Sequence, residues 1–289
     1  MIESYSEAMP YTTIVSVPEL LEILDAPNLV ILDARFDIDH EEMAIKNYLA
    51  GHIPGARQAD LGMHMAGEIV PGVTGRRPLP DKAVFAEQLR SWGIDENSQV
   101  VIYDDMNGIM AAARLWVMLR WAGLVNVALI SGGFQAWTAL GLEVNNDVPD
   151  VRPSHYEPSY RDELVADLPV VEAASREGGL YLFDSRSLSD GIPSHDAIKG
   201  HIPRSKAADR ALLSTDKGYW RSAEELREHF TSIIGDADPR DVVFYCGSGV
   251  TAAQNVLGMA HAGFDGSRMY FGSWSEWITD PERPIDATW

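Results

Sequence analysis

The chain has 289 residues, a hydrophobic fraction of 46% and a formal charge of −20, from 43 acidic and 23 basic residues. Such a composition supports a large core, filling one big domain or two ordinary ones, and excludes a disordered chain. The acidic balance excludes a general affinity for nucleic acid or anionic membranes and reads as a solvated face.

In chain order, residues 1–7 lack the basic start and apolar stretch of a secretory signal. With a single cysteine there is no intramolecular disulfide, which fits a reducing cytoplasm. An apolar run, Leu29-Val30-Ile31-Leu32-Asp33-Ala34-Arg35, leads to Gly51-His52-Ile53-Pro54. A helical pattern over 80–92 precedes a strand over 99–103, the alternation expected of α/β units on a mainly parallel sheet. The most apolar stretch, 109–130, is interrupted by Arg114 and Arg120 and broken at Gly123, so it reads as helix then strand, not a membrane span. Residues 146–161 are polar, carry Pro149, Pro153 and Pro158, and form the natural linker between a domain at 1–145 and another at 162–289. In the second part a helical pattern over 223–230 again precedes a strand, over 241–245.

That strand ends at the only cysteine, in Val242-Val243-Phe244-Tyr245-Cys246-Gly247-Ser248-Gly249-Val250-Thr251. Val250, Ala253, Val256, Leu257 and Ala260 then mark a helical stripe ending at Gly263. A short loop of two glycines flanking a serine can turn its backbone N–H groups inward, and the helix adds its positive end, so a thiolate at Cys246 is stabilised there.

The chain repeats itself once. Leu29 to Arg35 is echoed by Leu180-Tyr181-Leu182-Phe183-Asp184-Ser185-Arg186, and Gly51-His52-Ile53-Pro54 by Gly200-His201-Ile202-Pro203. Val100-Val101-Ile102-Tyr103-Asp104 answers the strand before Cys246, and Gly132-Gly133-Phe134-Gln135-Ala136-Trp137 answers Gly272-Ser273-Trp274-Ser275-Glu276-Trp277. Order is kept, so two diverged copies of one domain follow. The copies differ at the decisive position, where the first has Asp104 and the second Cys246. A carboxylate cannot replace a thiolate in sulfur chemistry, so only the second copy is expected to be catalytic. The first-copy loop continues Asp105-Met106-Asn107-Gly108, which by sequence lacks the N–H cradle of the second.

Together Asp33-Ala34-Arg35, the two Gly-His-Ile-Pro motifs, Ala112-Ala113-Arg114-Leu115-Trp116, the Cys246 loop and Gly272-Ser273-Trp274-Ser275-Glu276-Trp277 resemble, in order and over nearly the whole length, the tandem-domain rhodanese family of thiosulfate and 3-mercaptopyruvate sulfurtransferases. The resemblance implies two rhodanese-like α/β domains, the first inactive, and a Cys246 that cycles between thiolate and persulfide. It implies a small-molecule sulfur donor, an acceptor that is cyanide, a thiol or a thioredoxin-like protein, and no metal or organic cofactor. The persulfide loop is then Gly247, Ser248, Gly249, Val250 and Thr251, whose N–H groups act much as an oxyanion hole does. A monomer is the default, since tandem copies bury each other.

Thiosulfate-preferring members carry basic residues after the cysteine, whereas Gly247-Ser248-Gly249 is uncharged and resembles the mercaptopyruvate type. The two substrate arginines usual in that type are missing from residues 187–199, leaving Arg186 and Arg204 as replacements for anion binding. His52 resembles a proton-relay histidine acting with Ser248 and an acidic residue, but its repetition as His201 argues for a structural role; the sequence does not place the acidic member, since Asp37, Asp39, Glu41 and Glu42 all lie in a segment where the family varies in length. Trp274 and Trp277 read as core anchors.

Other chemistries fit less well. The histidines form no H-E-x-x-H pair, and the glycines no dinucleotide fingerprint. A cysteine phosphatase loop needs C-x5-R, and the sixth residue after Cys246 is Ala252. A persulfide relay between proteins, with little turnover of small donors, is the alternative to a sulfurtransferase.

Overall fold

The structure is a computed structural model that describes residues 10–37, 40–108, 110–186 and 198–287. Strands β1 (Ile14–Val15), β2 (Leu29–Asp33), β3 (Arg57–Gln58), β4 (Gln99–Tyr103) and β5 (Val127–Ile130) form one parallel sheet in the order β1-β5-β4-β2-β3. Strands β6 (Tyr181–Asp184), β7 (Lys206–Ala207), β8 (Val242–Tyr245) and β9 (Arg268–Met269) form a second, ordered β7-β6-β8-β9, also parallel. The second order reproduces β3-β2-β4-β5, and a parallel bridge from Val165 to Met269 stands where β1 pairs with β5. The sequence repeat is therefore a repeat of topology.

The central strands are predominantly apolar, with polar residues only at their ends (Asp33, Gln99 and Asp184), as expected of strands covered on both faces. The inner faces share one core, which runs from Val30, Leu32 and Ile102 through the helices Ala111–Trp121 and Ala252–His261 to Phe183, Phe244 and Phe271. The outer faces have cores of their own, anchored by Trp137 in the first domain and by Trp274 and Trp277 in the second. In the Ala111–Trp121 helix every residue but Arg120 is buried, so the apolar stretch of the sequence is an interdomain core helix. Among the described residues no helix is long and apolar enough to cross a membrane.

Residues 146–161 contain no helix or strand. They are strapped along the first domain by bonds from Ser154 N to Arg90 O (3.0 Å), Tyr156 Oη to Ala122 O (3.0 Å) and Arg161 N to Trp121 O (2.7 Å).

Candidate functional site

Cys246 follows the last residue of β8 and is 1% exposed. The chain then turns so that the N–H groups of Ser248, Val250 and Ala252, every second residue, and the Thr251 hydroxyl all serve its sulfur. Burial pushes the thiol up, but these donors outweigh it and hold the pKa below the ordinary cysteine value. Gly249 makes the turn feasible: its φ is +73°, and a Cβ there would lie 2.0 Å from the Phe271 carbonyl. The loop is fixed from behind by Trp274 N on Cys246 O and Ser275 N on Gly247 O, both 2.9 Å.

The first domain closes this loop. Gly75 packs so tightly that a Cβ would stand 2.5 Å from Gly272 O, and Arg76 N donates to Ser275 Oγ at 3.0 Å. Arg114, from the Ala111–Trp121 helix, is fully buried. It donates through Nη1 to Gly249 O and through Nη2 to the carbonyls of Met65, Arg77 and Pro78. Its guanidinium lies over the Phe271 ring at 5.0 Å. Burial drives its pKa down to about 9, while the charge of Cys246 favours the cation. In the sequence Arg114 was legible as a charge inside an apolar run and as part of a family motif; its role needed the other domain in place.

Closure is reciprocal. Gly218 of the second domain packs on Asn107, Trp220 N donates to Ser131 Oγ at 3.1 Å, and Trp220 Nε1 to Gly108 O at 3.4 Å. Beneath this cover the Asp104 loop differs from the sequence-based expectation. It is a full cradle, in which the carboxylate accepts from the N–H groups of Met106 (2.9 Å), Gly108 (2.7 Å), Met110 (2.9 Å) and Ala112 (3.2 Å). Backbone N–H groups build it, so its side-chain sequence did not reveal it. Burial raises the Asp104 pKa, opposed by these four bonds. The first domain thus fills its own anion nest.

The remaining candidates are placed elsewhere. His52 is fully buried, stacked on Tyr48 at 4.1 Å, with Nδ1 donating to Tyr48 O (2.8 Å) and Nε2 facing Asp147 O (3.3 Å). Both ring nitrogens are thus engaged by carbonyls of the first domain and of the start of the linker, which corrects the proton-relay reading. Its backbone pairs with Asn145, as that of His201 pairs with Asp286, so each histidine pins the segment leaving its domain.

Arg186 grips Asp184 at 2.5 Å, donates to Gly200 O at 2.7 Å and lies over Trp274 at 5.1 Å. Arg35 does the same in the first copy with Asp33, Gly51 O and Phe134. Arg186 is thus a structural clamp, not an anion site. Arg204, at φ +66°, lines a cavity with Gly178, Gly179 and Lys206 at the start of β6. Cys246 lies beyond the other end of the sheet, so Arg204 is not placed to grip a donor either. Of the acidic candidates, Glu41 pairs with Arg77 at 2.5 Å, Glu42 lies 3.9 Å from Lys46, and Asp37 accepts from His40 N. Asp39 and residues 187–197 lie outside the described residues.

The fold and the closed thiol loop define a two-domain rhodanese-type protein. The rhodanese-like domain family matches residues 16–140 and 168–280, and the chain belongs to that family, in its tandem-domain sulfurtransferase form. It is 37% identical over 281 residues to a probable 3-mercaptopyruvate sulfurtransferase of Pseudomonas aeruginosa, covering 96% of this chain and 99% of that one. It is 33% identical over 283 residues to the putative thiosulfate sulfurtransferase SseB of Mycobacterium tuberculosis, covering 94% and 96%. The solved 3-mercaptopyruvate sulfurtransferase from Leishmania major superposes with a TM-score of 0.79 at 29% identity, over 92% of this chain and 74% of that one.

Proposed function

We propose that this chain transfers sulfur from 3-mercaptopyruvate through a persulfide on Cys246 to a thiol, cyanide or a thioredoxin-like protein, acting as a cytoplasmic monomer. The Cys246 thiolate attacks the donor sulfur. The Sγ–S bond forms, the carbon–sulfur bond breaks, and the carbon takes the electron pair and a proton to leave as pyruvate. An acceptor thiolate then attacks the terminal sulfur, and the Sγ–S bond breaks to restore the Cys246 thiolate.

The observation that carries this reading is the nest of N–H and hydroxyl donors on a buried, pKa-lowered sulfur, in a loop whose own residues carry no cation. Preorganised donors of this kind stabilise charge on either sulfur without reorganising. An uncharged loop favours a singly charged keto acid over the thiosulfate dianion. Mass spectrometry after incubation with donor is expected to add one sulfur to the native chain and none to Cys246→Ser, and kcat/KM to be higher for 3-mercaptopyruvate than for thiosulfate at fixed ionic strength. Gly247→Arg/Ser248→Lys should shift the preference toward thiosulfate. Loading only from a charged desulfurase, with neither small donor, would favour the protein-to-protein relay.

A further inference from the structure

Ser273 begins the helix Ser273–Trp277, is fully buried, and holds a φ of +55°. That left-handed conformation is uncommon for a residue with a Cβ. The equivalent residue of the first copy is Gly133, at φ +58°, where a Cβ would meet Asp104 O at 2.4 Å. The catalytic copy therefore carries a side chain where its twin has none, and bears the strain of doing so.

The hydroxyl shows what that strain maintains. Tyr270 N donates to Phe244 O at 2.9 Å, the last direct bond of the β8–β9 ladder in this direction. In a parallel ladder the next bond would run from Cys246 N–H to the Tyr270 carbonyl. Ser273 Oγ is inserted at that place: it accepts from Cys246 N at 3.1 Å and donates to Tyr270 O at 2.9 Å. The same oxygen lies 3.9 Å from Cys246 Sγ. Strained residues held by their surroundings concentrate at functional sites.

We infer that Ser273 is a positioning residue, whose hydroxyl wedge between strands β8 and β9 sets the main chain of Cys246 so that its sulfur seats in the N–H nest. The inference rests on Cys246 being the reactive thiol. It assigns to the Gly-Ser-Trp-Ser-Glu-Trp motif a part in tuning the nucleophile besides anchoring the core. The direct consequence is that removing the hydroxyl detaches the cysteine from its donors without opening the fold.

Two variants test this. Ser273→Gly restores the residue of the first copy and relieves the strained φ, so its melting temperature is expected to stay within about 3 °C of wild type. Ser273→Ala keeps the strain and deletes only the oxygen. Both are expected to lose on the order of 10- to 100-fold in kcat/KM, and both to show an upward shift in the pH midpoint for alkylation of Cys246 by iodoacetamide.

Wild-type rates and midpoints in both variants would overturn the assignment. So would full activity in Ser273→Ala with loss only in Ser273→Gly, since the agent would then be the backbone. A rate loss matched by a large fall in melting temperature in Ser273→Gly would mark a merely structural serine. The alkylation profile needs no sulfur donor, so it reports on Ser273 even if sulfur uptake by Cys246 fails and the proposed function falls.

Discussion

The Arg114 guanidinium, on a helix of the first domain, donates to the carbonyl of Gly249 in the thiol loop of the second, bridging residues 135 positions apart. It is wholly buried. Arg114→Lys keeps the charge but loses the planar fork that reaches Gly249 O on one side and Met65 O, Arg77 O and Pro78 O on the other. It is expected to cost on the order of 3 kcal/mol of stability and to raise the Cys246 pKa. Thermal melts and alkylation profiles would show both, and an unchanged midpoint in a folded Arg114→Lys protein would refute the link to the thiol.

The lowered pKa of Cys246 fixes the sign of a pH effect. The native thiol releases its proton at lower pH than the unfolded one, so between the two pKa values the unfolded chain binds more protons and stability rises with pH. The contribution is complete above the unfolded pKa, about 8.5, and is lost as pH falls through the native one. Denaturant midpoints against pH should therefore rise more steeply in this window for wild type than for Cys246→Ser. Parallel curves would mean that the nest does not favour the thiolate.

Asp104→Asn tests the self-filled nest. The amide nitrogen would face N–H donors in place of a carboxylate oxygen, leaving some of them unpaired in a buried site. Charged hydrogen bonds of this kind contribute about 1.5–3 kcal/mol each, so urea unfolding should show a loss of at least about 2 kcal/mol. Sulfur loading of Cys246 in the folded protein should persist, and a variant as stable as wild type would show that the cradle contributes nothing.

Gly249→Ala should disable both stability and chemistry. The new Cβ would meet the Phe271 carbonyl at 2.0 Å in a left-handed backbone. A loss above about 2 kcal/mol is expected, together with loss of sulfur loading by mass spectrometry. Retention of loading at wild-type rate would show that the turn tolerates another path.

Much of this was legible in the sequence because it depends on local pattern. The apolar runs at Val30 and Leu182 became central strands, and Cys246 stood out as a unique thiol between a strand and a helix. What escaped depends on partners distant in the chain. Arg114 showed as a charge in an apolar run and as a motif residue, but its partner, Gly249 O, is supplied by the second domain. The cradle around Asp104 is made of backbone and has no residue signature. Arg186 and Arg204 carry suitable charges, but the sheet directs one into an ion pair with Asp184 and puts the other at its far end. Ser273 had one signal, the mismatch with Gly133 when the copies are aligned.

The reciprocal closure makes the molecule a covalent dimer of unlike halves. A tether the length of residues 146–161 holds the halves at an effective concentration on the order of millimolar, so their contact need not be strong enough to survive dilution. A single backbone cut in that tether would convert an intramolecular lid into a separate component, and sulfur loading, until then independent of protein concentration, would acquire a dilution threshold set by the affinity of one half for the other.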